Sequence, residues 1–223
     1  MPYEIFLNRE DAGRRLAQRL EKYKGADTII LAVPRGGVVV AYQVAKALGA
    51  PLDVVIPRKI GAPGQPELAI GAVGENGVCV LDEEIIRYLG VSETYIRQEA
   101  ERQRQEIERR WKLYRGDRPF PDVKGKTVIL IDDGIATGYT TIAAVRVIRN
   151  KQPAKIVLAV PVAPIDSIAK LRSEVDEIVV LETPEPFFAV GAWYQEFGQT
   201  SDEEVIKLLK QADSWSSSTH AEA

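Results

Sequence analysis

The stretch VILIDDGIATGYTT, Val128 to Thr141, decides how this chain is read. Four apolar residues run into two adjacent carboxylates, Asp132 and Asp133, followed at once by a glycine and a run of small and hydroxyl residues. In an open parallel sheet, ligands sit beyond the carboxyl ends of the strands, which is where VILI delivers the acid pair. Successive strand residues point to opposite faces, so both carboxylates can meet one ligand only if the strand stops there, and Gly134 permits that stop. IATGYTT then offers backbone N–H groups, the hydroxyls of Thr137, Thr140 and Thr141, and the start of the next helix. All of these favour a phosphate monoester.

Two acids beside an anion site need an offset. At about 6 Å and an effective dielectric near 20, two carboxylates repel by roughly 3 kcal/mol, and a phosphate adds to that cost. A divalent cation would offset it, and so would sugar hydroxyls donating to both carboxylates. Ribose 5-phosphate carries such a diol and a phosphate on one ligand. A bare DDG would more simply cap the next turn, but the whole pattern resembles the signature of the type I phosphoribosyltransferases. The match runs through VILIDDGIATGYT, with Tyr139 where a glycine is common. The resemblance implies that Asp132 and Asp133 take the 2- and 3-hydroxyls of phosphoribosyl pyrophosphate. It also implies that Gly134, Ala136, Thr137, Gly138, Tyr139 and Thr140 surround the 5-phosphate, and that Mg2+ is met by Asp132 and Asp133 indirectly, through water or ligand.

Working outward, residues 9–23 read as an amphipathic helix with Leu16 and Leu20 on one face. DTIILAVP reads as a buried strand, RGGVVVAYQVAKALG as a turn and a helix ended by Gly49, and PLDVVIP as a second strand. That spacing is a parallel βαβ unit. Residues 60–67 are rich in glycine and proline and read as a mobile loop, followed by a hairpin turned at ENG. Ser92 can cap a long charged helix over 92–115, whose thin apolar stripe of Ile96, Ala100, Ile107, Trp111 and Tyr114 is interrupted at Gln103. After the linker 116–125, strands at 126–132, 154–160 and 177–181 alternate with helices at 140–150 and 165–172. The expected fold class is α/β: a mostly parallel sheet with helices on both faces, a small β hairpin excursion, the charged helix and a C-terminal hood. Residues 1–211 are expected to form a single domain, and 212–223 a disordered tail.

A ribosyl pyrophosphate needs a second anion site, and AVPRGGVVV supplies one at another strand end. Arg35 gives a guanidinium, and Gly36 and Gly37 expose amides at a helix start. PRGG alone fits an ordinary strand-to-helix turn, but in sequence order it lies where the resembled family keeps its pyrophosphate loop, often with a strained or cis peptide. Arg58 and Lys59 close the second strand. They read either as a solvated pair or as further pyrophosphate contacts, an arrangement resembling adenine phosphoribosyltransferases. Asp132, Asp133, Arg35 and Lys59 form the expected catalytic set. The resemblance implies cleavage of the C1–pyrophosphate bond toward an oxocarbenium-like state, which needs stabilised leaving charge and an aligned nitrogen, not a nucleophile.

At the acceptor end, PEPFFAVGAWYQEF resembles in placement the hood of hypoxanthine-guanine enzymes. Phe188, Val190 and Trp193 are the candidate acceptor contacts. Equally, Phe187, Phe188 and Trp193 serve as packing that holds the C-terminal helix to the sheet.

Composition narrows the field. The formal charge of −3 offers no nucleic-acid coat, and no apolar run reaches the roughly 18 residues of a membrane span. The one cysteine, Cys79, reads as a small buried hydrophobe, and the one histidine, His220, lies in the polar tail. Histidine triads and Cys/His zinc sites are thereby excluded within the chain. The expected function is Mg-dependent transfer of ribose 5-phosphate from phosphoribosyl pyrophosphate to a nucleobase-like nitrogen acceptor in the cytoplasm. A homodimer is expected, with the charged helix a dimer arm or a cover over the site. Two other readings stand beside it: a non-catalytic sensor of phosphoribosyl pyrophosphate or nucleotide, and a metal-dependent phosphate-ester hydrolase.

Overall fold

The computed structural model describes residues 5–216. Its centre is a five-stranded parallel sheet built from β1 (Thr28–Ala32), β2 (Leu52–Val54), β6 (Thr127–Ile131), β7 (Lys155–Val162) and β8 (Glu177–Glu182), in the order β2-β1-β6-β7-β8. These strands are continuous apolar runs because both of their faces are covered. Along β1, Ile30 and Ala32 join one buried cluster, while Ile29 and Leu31 join another. The same alternation splits Ile129 and Ile131 from Val128 and Leu130 on β6.

The first face is covered by α1 (Arg9–Arg19), α2 (Gly36–Leu48) and α7 (Asp202–Ser216), through residues such as Leu16, Leu20, Val38, Val44, Val205 and Leu209. The second is covered by α5 (Tyr139–Arg149) and α6 (Ile165–Leu171), through Ile142, Val145, Ile148 and Leu171. Full burial of one such side chain contributes about 1.5–3 kcal/mol, so the two layers fix the strand register. That register matters for function. β1 and β6 pair Ala32 with Ile131, so the segments that follow them, Pro34–Gly37 and Asp132–Gly138, leave the sheet side by side.

Local chemistry sets the helix ends. Asn8 caps α1 by accepting from Asp11 N at 3.0 Å, and Gly49 closes α2 in the left-handed region at φ 66°. The charged helix forms as expected: α4 (Glu93–Arg115) is capped by Ser92, whose Oγ accepts from Tyr95 N at 3.2 Å. Its stripe is interrupted at Gln103 because that residue, although polar, is buried and bonded. Its Oε1 accepts from Arg58 Nε at 2.9 Å, and its Nε2 donates to Glu99 at 2.7 Å.

Several expectations are corrected. Residues 60–67 are not a loop: β3 (Arg58–Ala62) and β4 (Gln65–Val73) form an antiparallel hairpin, and β5 (Cys79–Leu81) completes a three-stranded sheet. The glycines that suggested mobility serve the turn and a close approach. Gly64 takes φ 71°, and a Cβ on Gly61 would lie 2.6 Å from the Pro66 carbonyl oxygen. The ENG turn is as expected, with Asn76 and Gly77 both at positive φ.

Cys79 is exposed, not buried. It sits on edge strand β5, where alternation turns Val80 inward and Cys79 outward. A short helix, α3 (Glu83–Leu89), follows β5 and is capped by Asp82. The first helix stops at Arg19 and continues as a 3-10 turn over Glu21–Tyr23. At the other end α7 runs to Ser216 with Ala212 buried, so 212–216 belong to the fold. Residues 217–223, with His220, lie outside the described residues.

Candidate active site

β6 ends at Ile131, and the acid pair follows immediately. With the strand ended, Asp132 and Asp133 both turn toward the Gly36–Gly37 segment, and Asp132 Oδ1 accepts from Asp133 N at 2.8 Å. Burial, reinforced by the neighbouring Asp133 charge, pushes Asp132 well above the usual carboxylate range. Asp133 is also raised by burial, against the pull of Arg9, whose Nε donates to Asp133 Oδ2 at 2.7 Å.

Beyond the acids, the chain turns through a loop anchored by three bonds. Ile135 N donates to Val162 O at 3.0 Å, Ser167 Oγ to Ala136 O at 2.5 Å, and Tyr194 Oη to Asp133 O at 2.5 Å. Ala136 and Thr137 are exposed, and the N–H groups of Ala136, Thr137 and Gly138 donate to no acceptor among the described residues. Gly138, at φ 87°, then starts α5 without a side-chain cap. Free amides leading into a helix N-terminus make an anion cradle. Tyr139, standing where a glycine is common in the resembled family, turns its ring away to donate to the Asp82 carboxylate. Burial, with that bond, holds its hydroxyl up at about 12. Thr140 lies in the first turn of α5, partly exposed.

The PRGG turn sits directly against the acids. The Pro34–Arg35 peptide is cis, and Arg35 precedes the first residue of α2. A Cβ on Gly36 would meet Asp133 Oδ2, and one on Gly37 would stand 3.0 Å from Asp132 Cα and from its Oδ1. Only glycine lets this turn and the acid pair share one crevice. Arg35 lies close enough to Tyr114 for its charge to act on that hydroxyl, which donates to Asp202 at 2.5 Å.

Arg58 and Lys59 are placed differently. Arg58 is held by Gln103 on α4, and burial, then the nearby Arg110 charge, lowers its pKa. Lys59 pairs with Glu67 across the β3–β4 hairpin at 2.9 Å. Among the described residues, neither makes a hydrogen bond or ion pair with the acid pair or the PRGG turn.

Of the hood residues, Val190 reaches the site: a Cβ on Gly134 would lie 2.5 Å from Val190 Cγ1. Phe188 is 84% exposed and stands away from the core. Trp193 and Phe187 join a small cluster with Phe6, Ala12, Val162 and Tyr194, so this segment is held to the N-terminal part of the chain and to β7.

Arg9 is the site residue that sequence reasoning missed. It begins an ordinary charged helix, REDAGRRL, and nothing in that local pattern separates it from the other arginines. A cavity of about 400 Å³ between the 74–77 turn and α4, lined by Trp111 and Arg104, lies apart from these residues. We place the site at the strand ends because the acids, free amides and glycine turn converge there.

A family model described as "Phosphoribosyl transferase domain" matches residues 3–196. The Mycobacterium tuberculosis protein named "Putative phosphoribosyl transferase Rv0571c" is 46% identical over 209 residues, covering 94% of this chain and 47% of that protein. The chain thus spans about half the length of the curated relatives it matches. The crystal structure of TT1426 from Thermus thermophilus is 44% identical, covers 93% of this chain and 98% of its own, and superposes with a TM-score of 0.76. A hypothetical protein from Neisseria gonorrhoeae, crystallised with bound ppGpp, shares the fold alone, at 14% identity and a TM-score of 0.51, over 95% of this chain and 98% of that one.

Proposed function

The chain belongs to the phosphoribosyl transferase domain family, and from that premise we propose that it transfers ribose 5-phosphate from phosphoribosyl pyrophosphate to a nitrogen acceptor. The observation that carries this reading is the contact of Gly36 and Gly37 with the carboxylates of Asp133 and Asp132. It joins a diol reader, a phosphate cradle and a basic glycine turn in one crevice.

In this reading Asp132 and Asp133 accept from the ribose hydroxyls, and the amides of Ala136 to Gly138 hold the 5-phosphate. Arg35 and the α2 N-terminus face the pyrophosphate. The bond between C1 and the pyrophosphate oxygen breaks and a bond from C1 to the acceptor nitrogen forms. The electron pair leaves with pyrophosphate, and the acceptor's proton passes to solvent or to the leaving group. The chain supplies alignment and a charged surround for an oxocarbenium-like state; its own residues attack nothing.

The donor set bears on magnesium. Among the described residues, no group of three or more His, Cys, Asp or Glu side chains is arranged to hold an ion. Two adjacent carboxylates therefore fit an ion that draws its other ligands from the substrate and water, held from the protein side by Asp132 and Asp133. When bound there, it would neutralise charge developing on the departing pyrophosphate. On the hood side, Val190 packs against Gly134, next to the acid pair.

The test follows phosphorus species by NMR with phosphoribosyl pyrophosphate, magnesium and a panel of nucleobases. Pyrophosphate released only with one acceptor supports transfer. Saturable binding without turnover would instead support a sensor, and metal-dependent release of inorganic phosphate a hydrolase.

A further inference from the structure

The acid pair and the C-terminal segment are joined by a closed circuit of contacts. Arg9 spends its guanidinium three ways: Nε on Asp133 Oδ2, Nη1 on the Gly198 carbonyl at 2.6 Å, and its face 3.9 Å from the centre of the Phe197 ring. Phe197 stacks on Tyr194 at 4.9 Å and 30°, and the Tyr194 hydroxyl returns to the Asp133 carbonyl. The circuit thus holds Asp133 by both its side chain and its backbone. It also touches the hood, because a Cβ on Gly191 would lie 2.7 Å from the Phe197 ring.

We propose that Arg9 is a positioning residue that couples the 190–198 segment to the acid pair, so that order on the acceptor side sets the grip on the ribosyl ligand. The assignment rests on the ribosyl reading above. Arginine suits it for a physical reason. A guanidinium donates in two directions while its face lies on an aromatic ring, whereas an ammonium gives a point charge without the fork or the stack. By occupying a single oxygen of Asp133, it offsets part of the repulsion between the acids and leaves carboxylate oxygens for the diol. Coupling of this kind is reciprocal: a ligand that locks Asp133 must also steady the segment carrying Phe197 and Gly198.

Calorimetric titration with ribose 5-phosphate is compared for wild type, R9K, R9Q, F197L and the R9Q/F197L double variant, alongside hydrogen exchange of residues 190–198. We expect R9Q to lose about tenfold or more in affinity and R9K to fall between it and wild type. Phe197 reaches Asp133 through Arg9 and Tyr194, so F197L should lose about threefold. The double variant should bind no worse than R9Q alone, since the two changes break one circuit. Ribose 5-phosphate should slow exchange across 190–198 in wild type and not in R9Q. A purely structural role would lower melting temperatures and leave these affinities and exchange rates alone. Wild-type affinity in F197L or R9Q, additive losses in the double variant, or exchange insensitive to the ligand would overturn the assignment. Wild type that binds no ribose 5-phosphate would overturn the ribosyl reading itself, and this assignment with it.

Discussion

Gly36 and Asp133 approach so closely that a Cβ on the glycine would overlap the carboxylate Oδ2 and stand 2.6 Å from Arg9 Nε. Two segments far apart in the chain therefore meet through an absent side chain.

The first prediction follows from that approach. Gly36→Ala must displace the Asp133 carboxylate and break its bond to Arg9, whereas Gly37→Ala asks only a few tenths of an ångström from the Asp132 backbone. Ribose 5-phosphate affinity should fall about tenfold or more in G36A, the scale of a lost charge-assisted contact. It should fall less in G37A, with circular dichroism unchanged in both. Equal affinities in the two variants would reject the steric account.

The two acids should respond unequally to neutralisation. Asp132 is raised by burial and by its neighbour's charge, so folding favours its protonated form and its ionisation at neutral pH costs stability. Asp132→Asn should melt about 2 °C or more above wild type, and its stability should fall less than that of wild type as pH rises above the ordinary carboxylate range. Asp133→Asn removes an acid that burial also raises but strips the counter-charge from a largely buried Arg9, so its gain should be smaller than that of Asp132→Asn. Replacing both should sharply weaken ribose 5-phosphate binding while the fold persists. Scanning calorimetry and ligand titration on the same samples check all three variants.

Glu177 provides a pH test far from the site. Hydrogen bonds from Lys155 first, then Lys22 and Tyr23, hold its carboxyl down at about 2. A depressed carboxylate stabilises the fold above its unfolded value, near 4.3, and loses that contribution as pH falls toward the folded value. With 24% of the side chain exposed, screening leaves roughly 1 kcal/mol. Urea titrations of wild type and Glu177→Gln should therefore differ at pH 6 and converge near pH 2. A constant difference would exclude the linkage.

The sequence made the α/β alternation, the strand-end acids and the glycine turn legible because each is written locally. Apolar runs mark the strands, DDG marks the stop, and PRGG marks the helix start. What it concealed depends on alignment between distant segments. Arg9 looks like any arginine on a solvated helix until Phe197 and Gly198 are brought to it. Gly61 and Gly64 carry one composition whether they loosen a loop or let two strands close on each other, and only the strand pairing, with Gly61 close against Pro66, distinguishes the cases. Arg58 does not close the second strand, which ends at Val54, but opens β3, and its direction is set by Gln103, 45 residues later on α4. Cys79 reads as buried because an apolar run does not disclose that its strand lies at an edge, with one face toward water.

The Arg9 circuit also carries a consequence for biosynthesis. A ribosome delivers the PRGG turn early and the acid loop midway, but Tyr194, Phe197 and Gly198 only near the close of the described fold. A nascent chain halted after α6 would therefore carry the PRGG turn and the acid loop while lacking β8, α7 and the groups that hold Asp133, so ribose 5-phosphate binding should appear only late in translation.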